Sequence, residues 1–253
     1  MDRVERSVTP RRSLREGWRD GWTRAIARLL PRWCLLCEAP CGAAPLCPPC
    51  RAFLPGAGRP RCRICARPWQ TSDRCATCRE DAPAYDDSVA AADYTAPLDR
   101  AITALKFGGQ IGLATGLGAL LAAALEAKRA CKLDCIVPIP LANGRLAQRG
   151  FNQAHLIAAS MLRRLPGSIE PLPHLRPALL LRQRDTTAQS LLEWSARQAN
   201  LDHGFVATAD LAGLCIGVVD DVMTTGATLQ AAALALKAAG ASRVVNLVVA
   251  RTA

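Results

Sequence analysis

From about residue 88 onward, short runs of apolar and β-branched residues alternate with longer segments whose apolar positions recur every three or four residues. The first pattern has the length of a buried strand, and the second is the stripe of an amphipathic helix. Strands are expected near 88–94, 135–140, 178–181, 217–219 and 244–249. Helices are expected near 98–106, 112–128, 152–165, 189–199 and 228–239. Alternation of this kind implies an α/β fold, a mostly parallel sheet with helices on both faces. Ligands of such sheets bind beyond the carboxyl ends of the strands, so the loops after 140 and after 219 are the places to look for chemistry.

Upstream the pattern changes. Trp18, Trp22, Ile26 and Leu29 stand at helical spacing behind an Arg-rich stretch, and 1–30 reads as a basic arm. Residues 31–80 are rich in Pro, Gly and Cys, and 82–87 reads as the linker into a main domain over 88–253. Within 31–80, Cys34, Cys37, Cys47 and Cys50 recur 28 residues later as Cys62, Cys65, Cys75 and Cys78. Each set has two CxxC pairs and can present four thiolates tetrahedrally to Zn²⁺, while neither segment has enough apolar residues to fold unaided. Four protein ligands leave no open position, so the implied zinc is structural. Sequential and crossed pairings fit the spacing equally. Cys41 lies inside the first set, and Cys131, Cys135 and Cys215 read as buried thiols.

Charge reinforces this division. Residues 1–79 carry 16 Arg, no Lys and 6 acids, a net +10, while 80–253 carry 16 bases and 15 acids, a net +1. Arginines interspersed with Trp18, Trp22, Trp33 and Trp69 suit the phosphates and bases of single-stranded nucleic acid. The longest mostly apolar stretch, 111–125, is too short to span a bilayer. No secretory pattern opens the chain, so a cytoplasmic location is expected.

The candidate site is concentrated in 214–229. An apolar strand ends at Asp220 and Asp221, and the small residues Thr224, Thr225, Gly226, Ala227 and Thr228 then open an Ala/Leu-rich helix. Short side chains let a phosphate approach backbone N–H groups at the positive end of the helix dipole. Carboxylates only accept hydrogen bonds, and therefore suit sugar hydroxyls. The lysine of a Walker loop is absent from this run. His155, His174 and His203 have no mutual spacing and are read as surface or helix-face residues.

This run resembles the phosphoribosyl-diphosphate (PRPP) signature of type I phosphoribosyltransferases. Ile136-Val137-Pro138-Ile139-Pro140, followed by Arg145 and Arg149-Gly150-Phe151-Asn152-Gln153, is similar to the pattern of the competence-associated ComF/GntX family. Pro97-Leu98, Leu105-Lys106-Phe107, Arg184, Thr186, Gln189, Arg197, Asn200 and the Cys-rich start agree with it, so the resemblance covers about residue 30 onward. The segment Leu141-Ala142-Asn143-Gly144 departs from it, since family members often carry bulkier or basic residues there.

The resemblance implies a type I phosphoribosyltransferase fold behind a small zinc region built on four-cysteine sets. It also implies PRPP bound with Mg²⁺, Asp220 and Asp221 on the ribose hydroxyls, and the 224–228 loop on the 5′-phosphate. Arg145 and Arg149, with Arg182 and Arg184 from a closing lid over 182–188, are the expected catalytic residues facing pyrophosphate. Single-stranded DNA and DNA-uptake proteins are the expected partners, the acceptor of any transfer being unspecified. The alternative is a non-catalytic PRPP sensor or scaffold with a vestigial site.

Overall fold

The computed structural model describes residues 33–41, 46–71, 73–128, 132–165, 171–182 and 204–252. Two five-residue helices, α1 (Pro48–Ala52) and α2 (Ala76–Glu80), belong to the Cys-rich region. Then follow β1 (Asp87–Asp93), α3 (Leu98–Phe107), α4 (Leu113–Lys128), β2 (Cys135–Pro138), α5 (Asn143–Arg149), α6 (Gln153–Leu162), β3 (His174–Leu175), β4 (Leu180–Arg182), β5 (Phe205–Ala207), β6 (Cys215–Met223), α7 (Ala227–Ala238) and β7 (Arg243–Arg251). The main sheet has the order β1-β7-β6-β2-β3 with every described pairing parallel. Central β7 is buried from Val244 through Arg251, as a parallel strand covered on both faces should be.

Two apolar layers enclose this sheet. On one side, Ile102, Leu105, Leu117, Leu121, Ile157 and Met161 of α3, α4 and α6 meet Val245, Leu247 and Val249. On the other, Leu229, Ala232, Ala233 and Leu236 of α7 meet Ile216, Val218 and Val248. Gly118 permits the close approach of α4 to α6: a Cβ there would lie 2.6 Å from the Ser160 Cβ and 2.7 Å from the Met161 nitrogen.

The Cys-rich region seals one margin of the sheet. Edge strand β1 donates from Ser88 N to Arg63 O (2.8 Å) and from Asp93 N to Pro55 O (2.8 Å), so at both ends of the strand an outer amide is occupied rather than offered to another chain. Ion pairs reinforce the seam. Arg59 (3.1 Å) and Arg61 (2.7 Å) hold Asp93, while Arg63, Lys128 and Arg243 surround Asp87.

The expected alternation is present, but α5 and β5 were not among the expected elements, and three further points differ. The 178–181 segment is not a strand of the main sheet: Pro177 lacks the N–H a ladder needs, a 3₁₀ turn covers Pro177–Leu179, and β4 pairs antiparallel with β5 apart from the main sheet. Beside β2, β3 takes the edge position. Strand β6 does not stop at Val219 but continues pairing with β7 through Asp220, Val222 and Met223. The expected helix over 189–199 and the arm over 1–30 lie outside the described residues.

Candidate functional site: two cysteine centres and a strand-end cleft

The 28-residue repeat is a structural one. Cys34 N donates to Ala39 O (2.7 Å) and Glu38 N to Cys34 O (3.0 Å), and the second unit repeats both with Cys62 N to Arg67 O (2.8 Å) and Ala66 N to Cys62 O (2.9 Å). Glu38 and Ala66 occupy the left-handed region at φ 58° and 55°. Cys47 and Cys75 stand at the N-caps of α1 and α2. In each unit the four ligand sulfurs lie within 4.8 Å of one another, so the pairing left open by spacing is sequential: Cys34, Cys37, Cys47 and Cys50 in one knuckle, Cys62, Cys65, Cys75 and Cys78 in the other.

The donor set fits a tetrahedral thiophilic ion such as Zn²⁺. Burial alone would push the Cys34 thiol up, but the N–H groups of Cys47, Leu36 and Cys37 outweigh it and bring the pKa down to about 6. In the same way, N–H groups of Cys65, Cys75 and Ile64 overcome burial at Cys62 and lower it to about 7. Backbone donors aimed at sulfur favour the thiolate, the form that binds metal.

At the carboxyl end of the sheet, β2 and β6 run side by side with Pro138 opposite Val219, and Ile139 N donates to Val219 O (2.9 Å). The two loops expected to converge therefore do. Asn152 caps α6 by accepting from His155 N (3.2 Å) and donates from Nδ2 to Ile139 O (2.9 Å), which fixes the first loop. In the second, Gly226 adopts φ 87° at the N-cap of α7. Thr224, Thr225, Ala227 and Thr228 are exposed. Ala227 N donates to Thr225 Oγ1 (3.3 Å), whereas the amides of Thr225, Gly226 and Thr228 have no protein acceptor among the described residues.

Asp220 and Asp221 differ in environment. Asp221 is buried, and its Oδ2 forms an ion pair with Lys106 Nζ at 2.5 Å. Asp220 is half-buried and accepts from Asp221 N (2.8 Å). Burial, then the neighbouring Asp221 charge, pushes the Asp220 carboxyl well above the usual carboxylate range. The pair is thus one committed carboxylate and one raised one, rather than two equivalent acceptors.

Of the expected arginines, Arg145 is exposed on α5. Arg149 is turned onto the Phe107 ring (5.2 Å to the centroid) and onto Gln153 Oε1 (2.5 Å). It therefore joins the C-terminus of α3, where Lys106 lies, to the β2 loop. Arg182 stacks over Phe205 (5.3 Å) within the small sheet, and Arg184 lies outside the described residues. Lys106 was legible only as part of the family pattern. Arg251, which approaches the loop from below, had no sequence signal beyond a base closing an apolar run.

A cavity of about 480 Å³ lies elsewhere, between β1, α4 and the segment joining the knuckles. Its floor is Leu120, Ala123, Ala124 and Val89, and most cations around it are held by Asp93 and Asp87.

No family model matches the chain. It is 32% identical over 224 residues to the DNA utilization protein YhgH of Escherichia coli O6:H1, covering 85% of this chain and 95% of that protein. It is 31% identical over 193 residues to Competence protein F of Haemophilus influenzae, covering 73% and 82%. The chain belongs to the ComF family. A more distant ComF relative, Competence protein ComFC of Bacillus subtilis, is 26% identical over 197 residues. In this ComF-family chain no described helix is long and apolar enough to cross a membrane.

Proposed function

We propose that the chain binds PRPP with Mg²⁺ at the carboxyl end of its sheet, as a type I phosphoribosyltransferase-like domain. We further propose that it does so in the cytoplasm, in the uptake or processing of single-stranded DNA. The observation that carries the first reading is the juxtaposition of a carboxylate pair with an exposed small-residue turn whose amides lack protein acceptors. The second is supported by the relatives' names and by the net +10 of residues 1–79. Within the described knuckles, Arg51, Arg67, Arg79 and Trp33 are exposed and suit a nucleic-acid strand, whereas Arg59, Arg61 and Arg63 are engaged with acids.

The 5′-phosphate would sit on the amides of Thr225, Gly226 and Thr228, with the threonine hydroxyls as further donors. Asp220 would accept from the ribose hydroxyls, while Asp221 stays engaged with Lys106 beside it. Arg145 and Arg149 stand on α5 where they can offset negative charge on a departing pyrophosphate. Mg²⁺, when bound, would neutralise pyrophosphate oxygens.

PRPP with Mg²⁺ should raise the melting temperature of the wild type, and Asp220→Asn should remove that rise; an equal rise in both proteins refutes the assignment. Asp220→Asn should itself be more stable at neutral pH. The folded carboxyl titrates above its unfolded value, so between the two the folded state holds the extra proton and stability falls as pH rises. The variant's advantage should therefore vanish below the ordinary carboxylate range.

The Lys106–Asp221 ion pair favours a second reading, a PRPP-sensing pocket without turnover, because only one acid remains for the sugar. Pyrophosphate release in the presence of nucleobases and single-stranded DNA separates the two.

A further inference from the structure

The two knuckles repeat in sequence but not in wiring. Arg251, the last residue of β7, is 1% exposed. Its Nε donates to the carbonyl of Cys65, a ligand of the second knuckle, at 2.9 Å. Its Nη1 donates to Met223 O (3.1 Å), Thr224 O (2.5 Å), Thr252 O (2.8 Å) and Thr252 Oγ1 (2.9 Å). One side chain therefore grips both a metal ligand's backbone and the first residue of the strand-end turn. Tyr85 adds a second prop: it packs among Cys62, Cys65, Cys75 and Cys78, and its Oη would lie 3.2 Å from a Cβ built on Gly226.

Every acceptor of Arg251 is neutral, and no carboxylate forms an ion pair with it among the described residues. A buried guanidinium without a counter-charge is costly. Four thiolates on one Zn²⁺ carry a net charge of −2, and the second knuckle brings that charge to the residue whose carbonyl Arg251 already holds.

We propose that Arg251 is a positioning residue through which the metal-loaded second knuckle, and not the first, sets the 224–228 turn for phosphate. The metal's charge retains the guanidinium, and the guanidinium ties down Thr224 O, leaving the following amides to face outward. By linkage, a phosphate on the turn must in return strengthen metal retention by the second knuckle. The phosphate half of this inference rests on the reading of the turn given above; the mechanical half does not.

The test uses the full chain loaded with ¹¹³Cd²⁺, giving one resonance per knuckle, with Cys37→Ser assigning the first. Ribose 5-phosphate should move the second-knuckle resonance and leave the first unchanged. Arg251→Lys should keep both metals but lose that shift and bind the sugar phosphate about 5- to 150-fold more weakly, the usual span of site-to-site coupling. Binding that moves both resonances or neither overturns the proposal. A wild type that does not bind ribose 5-phosphate refutes the phosphate site instead, and a ligand-free measurement then decides the mechanical half, as it does where Arg251→Lys fails to fold. Exchange of the Gln230 N–H, which is donated to the turn's Gly226 O (2.8 Å), should accelerate when chelator strips both metals from the wild type, but not when Cys37→Ser removes only the first; unchanged exchange on stripping overturns the proposal.

Discussion

The two knuckles share a fold down to the left-handed residue that follows the turn, yet they stand in different places. The first lies over the helical layer, where Leu35 would be 3.0–3.1 Å from a Cβ on Gly116 of α4, and its Cys37 is exposed and its Cys50 half-buried. The second has all four cysteines buried and shares a core with Tyr85, Val137, Ile139 and Met223 beneath the strand-end cleft. The repeat supplies two four-cysteine folds of the same backbone, one packed on the helical layer and the other beneath the strand-end cleft. Repeat units need not be functionally interchangeable even when their backbones are.

The strongest way to break this comparison is to remove one metal at a time. Structural Zn²⁺ contributes about 10–16 kcal/mol in isolated fingers, so Cys75→Ser should unfold its knuckle and carry the cleft with it. Cys47→Ser should unfold only the first knuckle and leave the Gln230 N–H, bonded to Gly226 O, protected as in the wild type. Equal losses in hydrogen exchange would mean that the knuckles are equivalent after all. A smaller effect is expected at the contact of the first knuckle with α4. Gly116→Ala should displace Leu35 at a cost of about 1–3 kcal/mol, as overpacking does, and loosen the first metal alone; calorimetry with metal analysis checks this. Smallest is a kinetic difference without change in stability: a chelator should withdraw the first metal faster, because two of its ligands are accessible, and single-phase release would argue against the distinction.

Much of this arrangement was legible in the residues. The cysteine spacing identified the repeat and the apolar alternation identified the sheet, because metal ligation and core burial both impose strict periods. Helix α5 escaped because none of its residues is buried, so it carries no apolar stripe; Gly150 at φ 78° ends it. The carboxylates were expected to end their strand because charge interrupts the apolar run, but backbone pairing to β7 continues past them to Met223 regardless of side-chain polarity. The partners of those carboxylates were the least visible part. Lys106 and Asp221 are 115 positions apart, and Arg251 meets Cys65 across 186, distances at which no local pattern reports contact.

The seam along β1 means that the cysteine region and the domain behind it cannot be treated as detachable modules. Trimming away the first 80 residues would strip the cover from Ser88 N and Asp93 N and leave Asp93 without either of its arginines. The remaining fragment would present a raw, hydrogen-bond-hungry border, primed to stick to its own kind. Loss of nucleic-acid binding by such a fragment would then report clumping as readily as a missing contact, and single exposed arginines such as Arg67 and Arg79 are the cleaner handles.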